Sequence, residues 1–423
     1  MINNKNLDEV IFNMCKNEST NTMRWEKFFD YLEENGISKN DPRLREITWS
    51  IRKHDGFVDQ EKLKKIIQPH MDILDKFFGR HFVVADFKSF TKDIEEIYWK
   101  CKGNTAGKNA SYIPQLARVN PNYWGVSVCT IDGQRFSIGD TTIPFTIQSV
   151  CKPLNYAVAL EHLSPIVVHQ YVGQEPSGRI FNELVLDHNK QPHNPMINSG
   201  AILICSLLQT LIRSEMNLAE KFDFMQNWFS RMAGGERFGF NNSVFLSERE
   251  AADRNYALGF YMRENKVFPE RTNLRECLDF YFQMCSQDVT CENMCVIAAT
   301  LANGGICPMT GEKVFSTQTV RDVLSLMHSC GMYNYSGQFA FNVGLPAKSG
   351  VGGGVLLVVP NVAGFFTWSP PLDECGNSVR GIQFCEELVK LYNFHPYDNI
   401  QHTTTKKNPL QHSCTKSTCL LSK

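Results

Sequence analysis

No stretch of this chain is apolar over the roughly 20 residues that a bilayer-spanning helix needs, and the opening MINNKNLDEV has neither a basic n-region nor an apolar h-region. A soluble, unsecreted protein without membrane insertion is expected. The sequence also lacks an excess of either charge: 43 Lys and Arg against 44 Asp and Glu give a net charge of -1. The clustered cations that would hold a polyanion are missing, so nucleic acid is not an expected partner. Zinc-type spacing is missing as well, because Cys285, Cys291 and Cys295 form the tightest cysteine cluster without a CxxC pair or a neighbouring His. The 15 cysteines are odd in number and lie in apolar segments, as at Cys205 and Cys385. They read as reduced core thiols rather than a disulfide framework.

What is present is ordinary globular texture in three stretches. Residues 1–80 carry apolar positions at helical spacing (Val10, Ile11, Met14; Leu63, Ile66, Ile67), broken at Gly36 and Pro42. Within them Asp55, Gly56 and Val58 fall where an EF-hand loop places its fifth ligand, turn glycine and core aliphatic. The remaining oxygen ligands are absent, since positions one, three and twelve would be Ile51, Lys53 and Lys62. An all-α, EF-hand-like helical module without calcium ligands is expected there.

Residues 81–395 read as one α+β domain. Trp124 to Ile131, the Asp132-Gly133 turn and Arg135 to Ile138 form a β-hairpin, and Val355 to Val359 with Gly364 to Trp368 form another around Pro360-Asn361. The patterns between them are helical, so the distant hairpins should join one antiparallel sheet covered by helices. Residues 396–423 are polar and basic, too poor in apolar residues to offset their ordering entropy, and read as a flexible tail.

The chemistry-bearing pattern is Ser-x-x-Lys, in which residues three apart on a helix let an amine reach a hydroxyl. It occurs at Ser50/Lys53, Ser89/Lys92, Ser149/Lys152 and Ser413/Lys416. Only Ser149 follows an apolar strand-like entry, Ile143 to Ile147, and opens an apolar helix, Leu154 to Leu163, with Pro153 in its first turn. A helix N-terminus favours developing negative charge, which activates a nucleophile and helps hold an oxyanion. Lys152 must be neutral to act as its base, and burial beside a second cation, Lys348 of Lys348-Ser349-Gly350, would lower its proton affinity. Ser-x-x-Lys with a downstream Lys-Ser-Gly is the pairing of penicillin-recognising enzymes. These two motifs alone fit a capping serine and a glycine-rich turn equally well.

Those two motifs belong to seven segments that occur in order: Tyr112-Ile-Pro-Gln-Leu116, Phe145-Thr-Ile-Gln-Ser-Val-Cys-Lys152, Pro192-His-Asn-Pro-Met-Ile-Asn-Ser-Gly-Ala201, Ser247-Glu-Arg-Glu250, Asp253-Arg-Asn255, Cys330-Gly-Met-Tyr333 and Ala347-Lys-Ser-Gly-Val351. Through them residues 80 to 395 resemble the glutaminase family, and the preceding helices resemble the N-terminal extension of its animal kidney- and liver-type members. The resemblance implies a β-lactamase/transpeptidase-like fold and hydrolysis of L-glutamine to glutamate and ammonia, with no metal or organic cofactor and inorganic phosphate as a possible activator. It implies Ser149 as nucleophile, Lys152 as base, and Tyr112 and Tyr333 as bordering phenols that relay protons. The backbone N–H groups of Val351 and Ser149 would form the oxyanion hole.

Gln148, Asn198, Glu248, Asn255 and Tyr281 match the family's substrate-binding positions, with Lys348 and Ser349 in support. Taken alone, Glu248 reads as a solvated helix face, Asn198 and Asn255 as caps, Tyr281 as core and Tyr112 as a strand aromatic. The loop Phe181 to Asn189 resembles the family's gating segment. A homo-oligomer, a tetramer by resemblance, and a mitochondrial location are implied, with the cytoplasm as alternative because no presequence pattern opens the chain. The competing readings are a β-lactam- or peptide-hydrolysing Ser-Lys enzyme and an inactive scaffold of the same fold.

Overall fold

A computed structural model describes residues 7–17, 22–52, 57–78, 82–180, 182–398 and 405–410. Its first unit is built from amphipathic helices. In Trp25–Glu34 the buried residues Trp25, Phe28 and Leu32 recur at three- and four-residue spacing, and Leu63 and Ile67 do the same in Gln60–Ile67, which Asp59 caps by accepting the Lys62 N–H at 2.8 Å. With Leu7–Cys15, Arg45–Arg52 and Met71–Phe78 these helices close around one core reaching from Leu7 to Phe82. A small antiparallel ladder, Lys16–Asn17 with Thr22–Arg24 and Thr22–Arg24 with Phe57–Val58, ties the two inter-helix loops together. Helical periodicity does not announce so short a ladder. Lys53, Asp55 and Gly56 of the EF-hand-like loop lie outside the described residues. Ile51 is buried and Lys62 exposed, so neither matches a calcium ligand.

The second unit holds a five-stranded antiparallel sheet. Its order runs Arg135–Gly139, Gly125–Thr130, Ala363–Trp368, Gly354–Val359, Ala347–Ser349, so the two predicted hairpins are joined at Phe366↔Ser127 and its neighbours. The three inner strands are buried at every position, and successive side chains serve opposite layers. Leu356, Val358, Phe366 and Trp368 enter the larger core with helices Cys151–Val168, Asn198–Thr210, Leu274–Cys285 and Cys291–Ala302. Val355, Leu357, Val359 and Phe365 enter the other, under Phe87–Lys102 and Val379–Leu391. Two-sided burial is why these strands read as apolar runs. Gly364 lets Cys291–Ala302 lie directly on the sheet, because a Cβ there would come 2.1 Å from the Ala299 nitrogen.

The helical unit docks at the sheet edge opposite Ala347–Ser349. Arg43, held by Asp41, donates to the carbonyls of Asp132 at 2.6 Å and Gly133 at 3.1 Å, and the Arg135 N–H donates to Gly36 O at 2.7 Å. At the other end of the chain part of the expected flexible tail is anchored. Lys407 exchanges backbone bonds with Leu391 and Asn393, and its Nζ pairs at 2.6 and 2.7 Å with buried Asp93, which also accepts the Tyr392 hydroxyl at 2.6 Å. Residues 399–404 and 411–423 of that tail lie outside the described residues. Among the described residues no helix is long and apolar enough to cross a membrane.

Candidate active site

The strand Phe145–Thr146 pairs with Gln287–Val289, and the Ile147 N–H extends the ladder to Gln287 O at 2.9 Å. The chain then turns sharply at Gln148, whose φ of 50° is a left-handed conformation that costs a non-glycine residue about 1–3 kcal/mol. A 3-10 turn, Gln148–Val150, carries Ser149 and feeds the helix Cys151–Val168. Ser149 thus sits in the turn ahead of the helix rather than in the helix itself, with its amide unclaimed by the helical ladder that follows. Tyr333, another left-handed residue at φ 52°, brings its phenol beside Ser149, whose side chain opposes the upward push of burial on it.

Of the other Ser-x-x-Lys pairs, one is fully described. Ser89 and Lys92 lie exposed on Phe87–Lys102, while Lys53, Ser413 and Lys416 are outside the described residues.

Lys152 is 1% exposed, and its Nζ donates at 2.6 Å to Asn198 Oδ1. Asn198 opens the helix Asn198–Thr210; its Oδ1 also accepts the Tyr281 hydroxyl at 3.4 Å and its Nδ2 donates to Asn255 Oδ1 at 3.2 Å. Burial alone brings the Lys152 amine down to about 8. Lys348, fully buried on the edge strand, donates to Ser349 O at 2.5 Å and lies 4.4 Å from the centre of the Tyr333 ring. Its proton affinity falls well below the usual lysine value through burial first and the charge of Lys152 second. Charge repulsion between two buried amines is mutual, so this pair resists carrying two protons at once. Ser349 Oγ is buried with no hydrogen-bond partner among the described residues.

Across the site the Tyr112 hydroxyl donates to Glu248 Oε1 at 2.6 Å and lies 3.4 Å from Gln148 Oε1. The Tyr112 residue is half exposed, yet its hydroxyl end is enclosed; burial and the Glu248 charge push its pKa up. Glu248 is buried near the end of Asn242–Glu250, and its carboxyl is raised by burial, with hydrogen bonds from Tyr112 and Gln148 opposing the shift. It is therefore no solvated helix face.

Val351 follows the edge strand and packs on Ile113, Leu116 and Val244. Its N–H has no backbone acceptor among the described residues. Glycines flank it because the turn lies back to back with the Ser149 strand: a Cβ on Gly350 would sit 3.0 Å from Ile147 O, and one on Gly352 2.8 Å from Thr146 O. The predicted catalytic and binding residues are thus drawn to one locus. Beside Tyr333 a cavity of about 320 Å³ opens toward Ser177, Gly178 and Arg179, just ahead of that loop. Phe181 lies outside the described residues.

Two features had no sequence signal. The thiols of Cys151 and Cys285 meet at 3.9 Å beside the Lys152 amine, and the Trp368 indole N–H donates to Gly352 O at 3.0 Å. A lone Cys and a lone Trp in apolar runs look like core, and only the fold places them here.

Residues 107–397 match the family model described as glutaminase, and residues 7–85 match one described as EF-hand domain. The chain is 51% identical over 389 residues to the mitochondrial liver isoform of glutaminase from Mus musculus, covering 90% of this chain and 64% of that one. It is 47% identical over 410 residues to putative glutaminase 3 of Caenorhabditis elegans, with coverages of 94% and 70%. The crystal structure of Mglu in its tris and glutamate form superposes with a TM-score of 0.67 at 35% identity, covering 71% of this chain and 66% of that one. The chain spans 64% of the length of the mouse liver relative it matches.

Proposed function

This chain belongs to the glutaminase family, and on that premise we propose that it hydrolyses the side-chain amide of L-glutamine to glutamate and ammonia through a Ser149 ester. The observation that carries this reading is Ser149 in contact with Tyr333 and one turn from a fully buried lysine brought down to about 8. Near neutral pH such an amine is partly unprotonated and able to take a proton.

In the first half-reaction Ser149 Oγ attacks the amide carbon, and its proton passes to Lys152 or, through Tyr333, toward the leaving nitrogen. The oxyanion is held by the N–H groups of Ser149 and Val351. The C–N bond breaks as that nitrogen gains its proton, releasing ammonia and leaving a glutamyl ester. Water then attacks the ester with the same groups acting in reverse. Lys348, whose proton affinity burial lowers, lies against the Tyr333 ring.

The free amino acid presents an ammonium and a carboxylate. Glu248 is the anionic group that faces the site, shared with Tyr112 and Gln148, and suits the ammonium. Asn198, Asn255 and Tyr281 offer the neutral donors that suit the carboxylate. No metal or organic cofactor enters this scheme. A homo-oligomer, activation by inorganic phosphate and a mitochondrial location belong to the same reading; the last is supported by the name of the mouse liver relative.

The test is ammonia release from glutamine, with and without phosphate and after chelation, beside turnover of a chromogenic β-lactam. Glutamine-dependent release that vanishes in Ser149→Ala supports the proposal. β-Lactam turnover alone would transfer the site to the alternative Ser-Lys chemistry, and no turnover of either compound would leave an inactive scaffold.

A further inference from the structure

The two amides assigned to the oxyanion come from separate segments, so their spacing depends on whatever clamps those segments together. Val351 is carried by the turn between the edge strand Ala347–Ser349 and the strand Gly354–Val359. That turn is closed by Gly350 N–H to Gly354 O at 3.0 Å, Gly353 N–H to Gly350 O at 2.9 Å and Ser369 N–H to Gly353 O at 3.0 Å. Ser149 is carried by the strand Phe145–Thr146 and the 3-10 turn after it. The Trp368 side chain touches both segments. The Trp368 indole N–H donates to Gly352 O at 3.0 Å, the only side-chain hydrogen bond to the Val351 turn among the described residues. The same indole stacks on Phe145, with ring centroids 4.5 Å apart and planes within 7°. Tyr123 covers its other side at 5.3 Å, leaving Trp368 1% exposed.

The two segments also lie directly against each other: a Cβ on Gly350 would meet Ile147 O at 3.0 Å and Val150 Cγ2 at 3.1 Å, and one on Gly352 would meet Thr146 O at 2.8 Å and Gln148 Cγ at 3.5 Å, so a shift of the turn is felt at Ser149. A cavity of about 560 Å³ bordered by Phe145, Thr146, Gly352 and Trp368 opens beside the clamp. An oxyanion site tolerates little error in donor placement, since the donors must meet the tetrahedral oxygen rather than the ground-state carbonyl.

We propose that Trp368 is a positioning residue for the reaction, fixing the distance between the Val351 and Ser149 amides through its N–H bond to Gly352 and its stack on Phe145. The inference rests on the Ser149 acyl-transfer reading. Its signature is a loss confined to the chemical step, because an oxyanion donor matters only once the tetrahedral intermediate forms.

Trp368→Phe keeps an aromatic ring against Phe145 and removes the N–H. Ammonia release should show kcat lowered roughly tenfold, with KM for glutamine and inhibition by glutamate within about twofold of the parent and the pH midpoint set by Lys152 unmoved. An unchanged kcat, or a loss expressed in KM, overturns the proposal. If Trp368→Phe does not fold, Tyr123→Leu decides: it removes one stacking partner while leaving the indole N–H in place, and should lower kcat with KM held. A Tyr123→Leu enzyme with parental kcat then overturns it. Parent enzyme that releases no ammonia, or Ser149→Ala that still does, would instead sink the underlying reading, so the two failures are distinguishable.

Discussion

Replacing Asn198 by aspartate puts a carboxylate where Lys152 Nζ now finds a neutral oxygen at 2.6 Å. In the parent, an amine at about 8 is unprotonated in roughly one-tenth of molecules at pH 7. The kcat/KM profile should therefore climb about tenfold from pH 7 to its plateau, with its midpoint near 8. An opposite charge at hydrogen-bonding distance raises an amine by about one to three units. Asn198→Asp should thus move the midpoint to roughly 9–11, and at pH 7 the competent fraction falls to between about one-hundredth and one ten-thousandth. The assay is glutamine-dependent ammonia release across that pH range. Asn198 also faces the proposed substrate carboxylate, so absolute rates drop at every pH and only the midpoint reports on Lys152. A midpoint that stays put or moves down would show that Lys152 is not the titrating base.

Lys152→Met tests the same burial through stability. The native amine titrates near 8 against 10.5 for a free lysine, so between those values the unfolded chain binds more protons and stability rises with pH; the penalty is full below about 8 and worth roughly 3 kcal/mol. The apolar variant should gain about 1–3 kcal/mol at pH 7 in urea unfolding, less as the pH rises through that window, and lose activity; a destabilised variant at pH 7 contradicts this. Tyr333→Phe removes the hydroxyl on Ser149 and should lower kcat roughly 10²–10⁴-fold with little change in KM, as steady-state kinetics will show. Glu248→Gln should raise KM for glutamine about tenfold or more while leaving the pH midpoint near 8, because the ammonium loses its anionic partner. Asp93→Ala should leave ammonia release unchanged yet speed proteolytic cleavage within residues 405–410, since Lys407 loses the carboxylate that pins it.

The sheet was legible because short apolar, β-branched runs around an Asp-Gly turn are local signals. The joining of Gly125–Thr130 to Ala363–Trp368 followed from two distant hairpins each needing to bury apolar faces. The nucleophile was legible as a serine between an apolar strand and an apolar helix. Its seat in a 3-10 turn was not, because that depends on Gln148 adopting φ 50° under a glycine turn arriving from some 200 residues away.

Lys348 shows a different limit. Its motif marked it as a neighbour of Lys152, but how completely folding strips water from both amines is not carried by spacing. Glu248 likewise changed character only when folding removed its solvent. The anchored stretch 405–410 escaped notice because its partner, Asp93, lies 314 residues from Lys407 and sits on a helix whose pattern reads as self-sufficient. Trp368 was hidden by its own composition: an indole in an apolar strand looks like core, and it is core, with one N–H turned toward the catalytic turn.

The central claim is covalent chemistry at Ser149, and mass spectrometry of the protein after reaction with a glutamine-like electrophile tests it most directly. The account predicts a single adduct on the peptide carrying Ser149, blocked by excess glutamine and absent from Ser149→Ala, with ammonia release lost in step. An adduct settling instead on Cys151, Cys285 or any other residue while Ser149→Ala keeps full activity would contradict it.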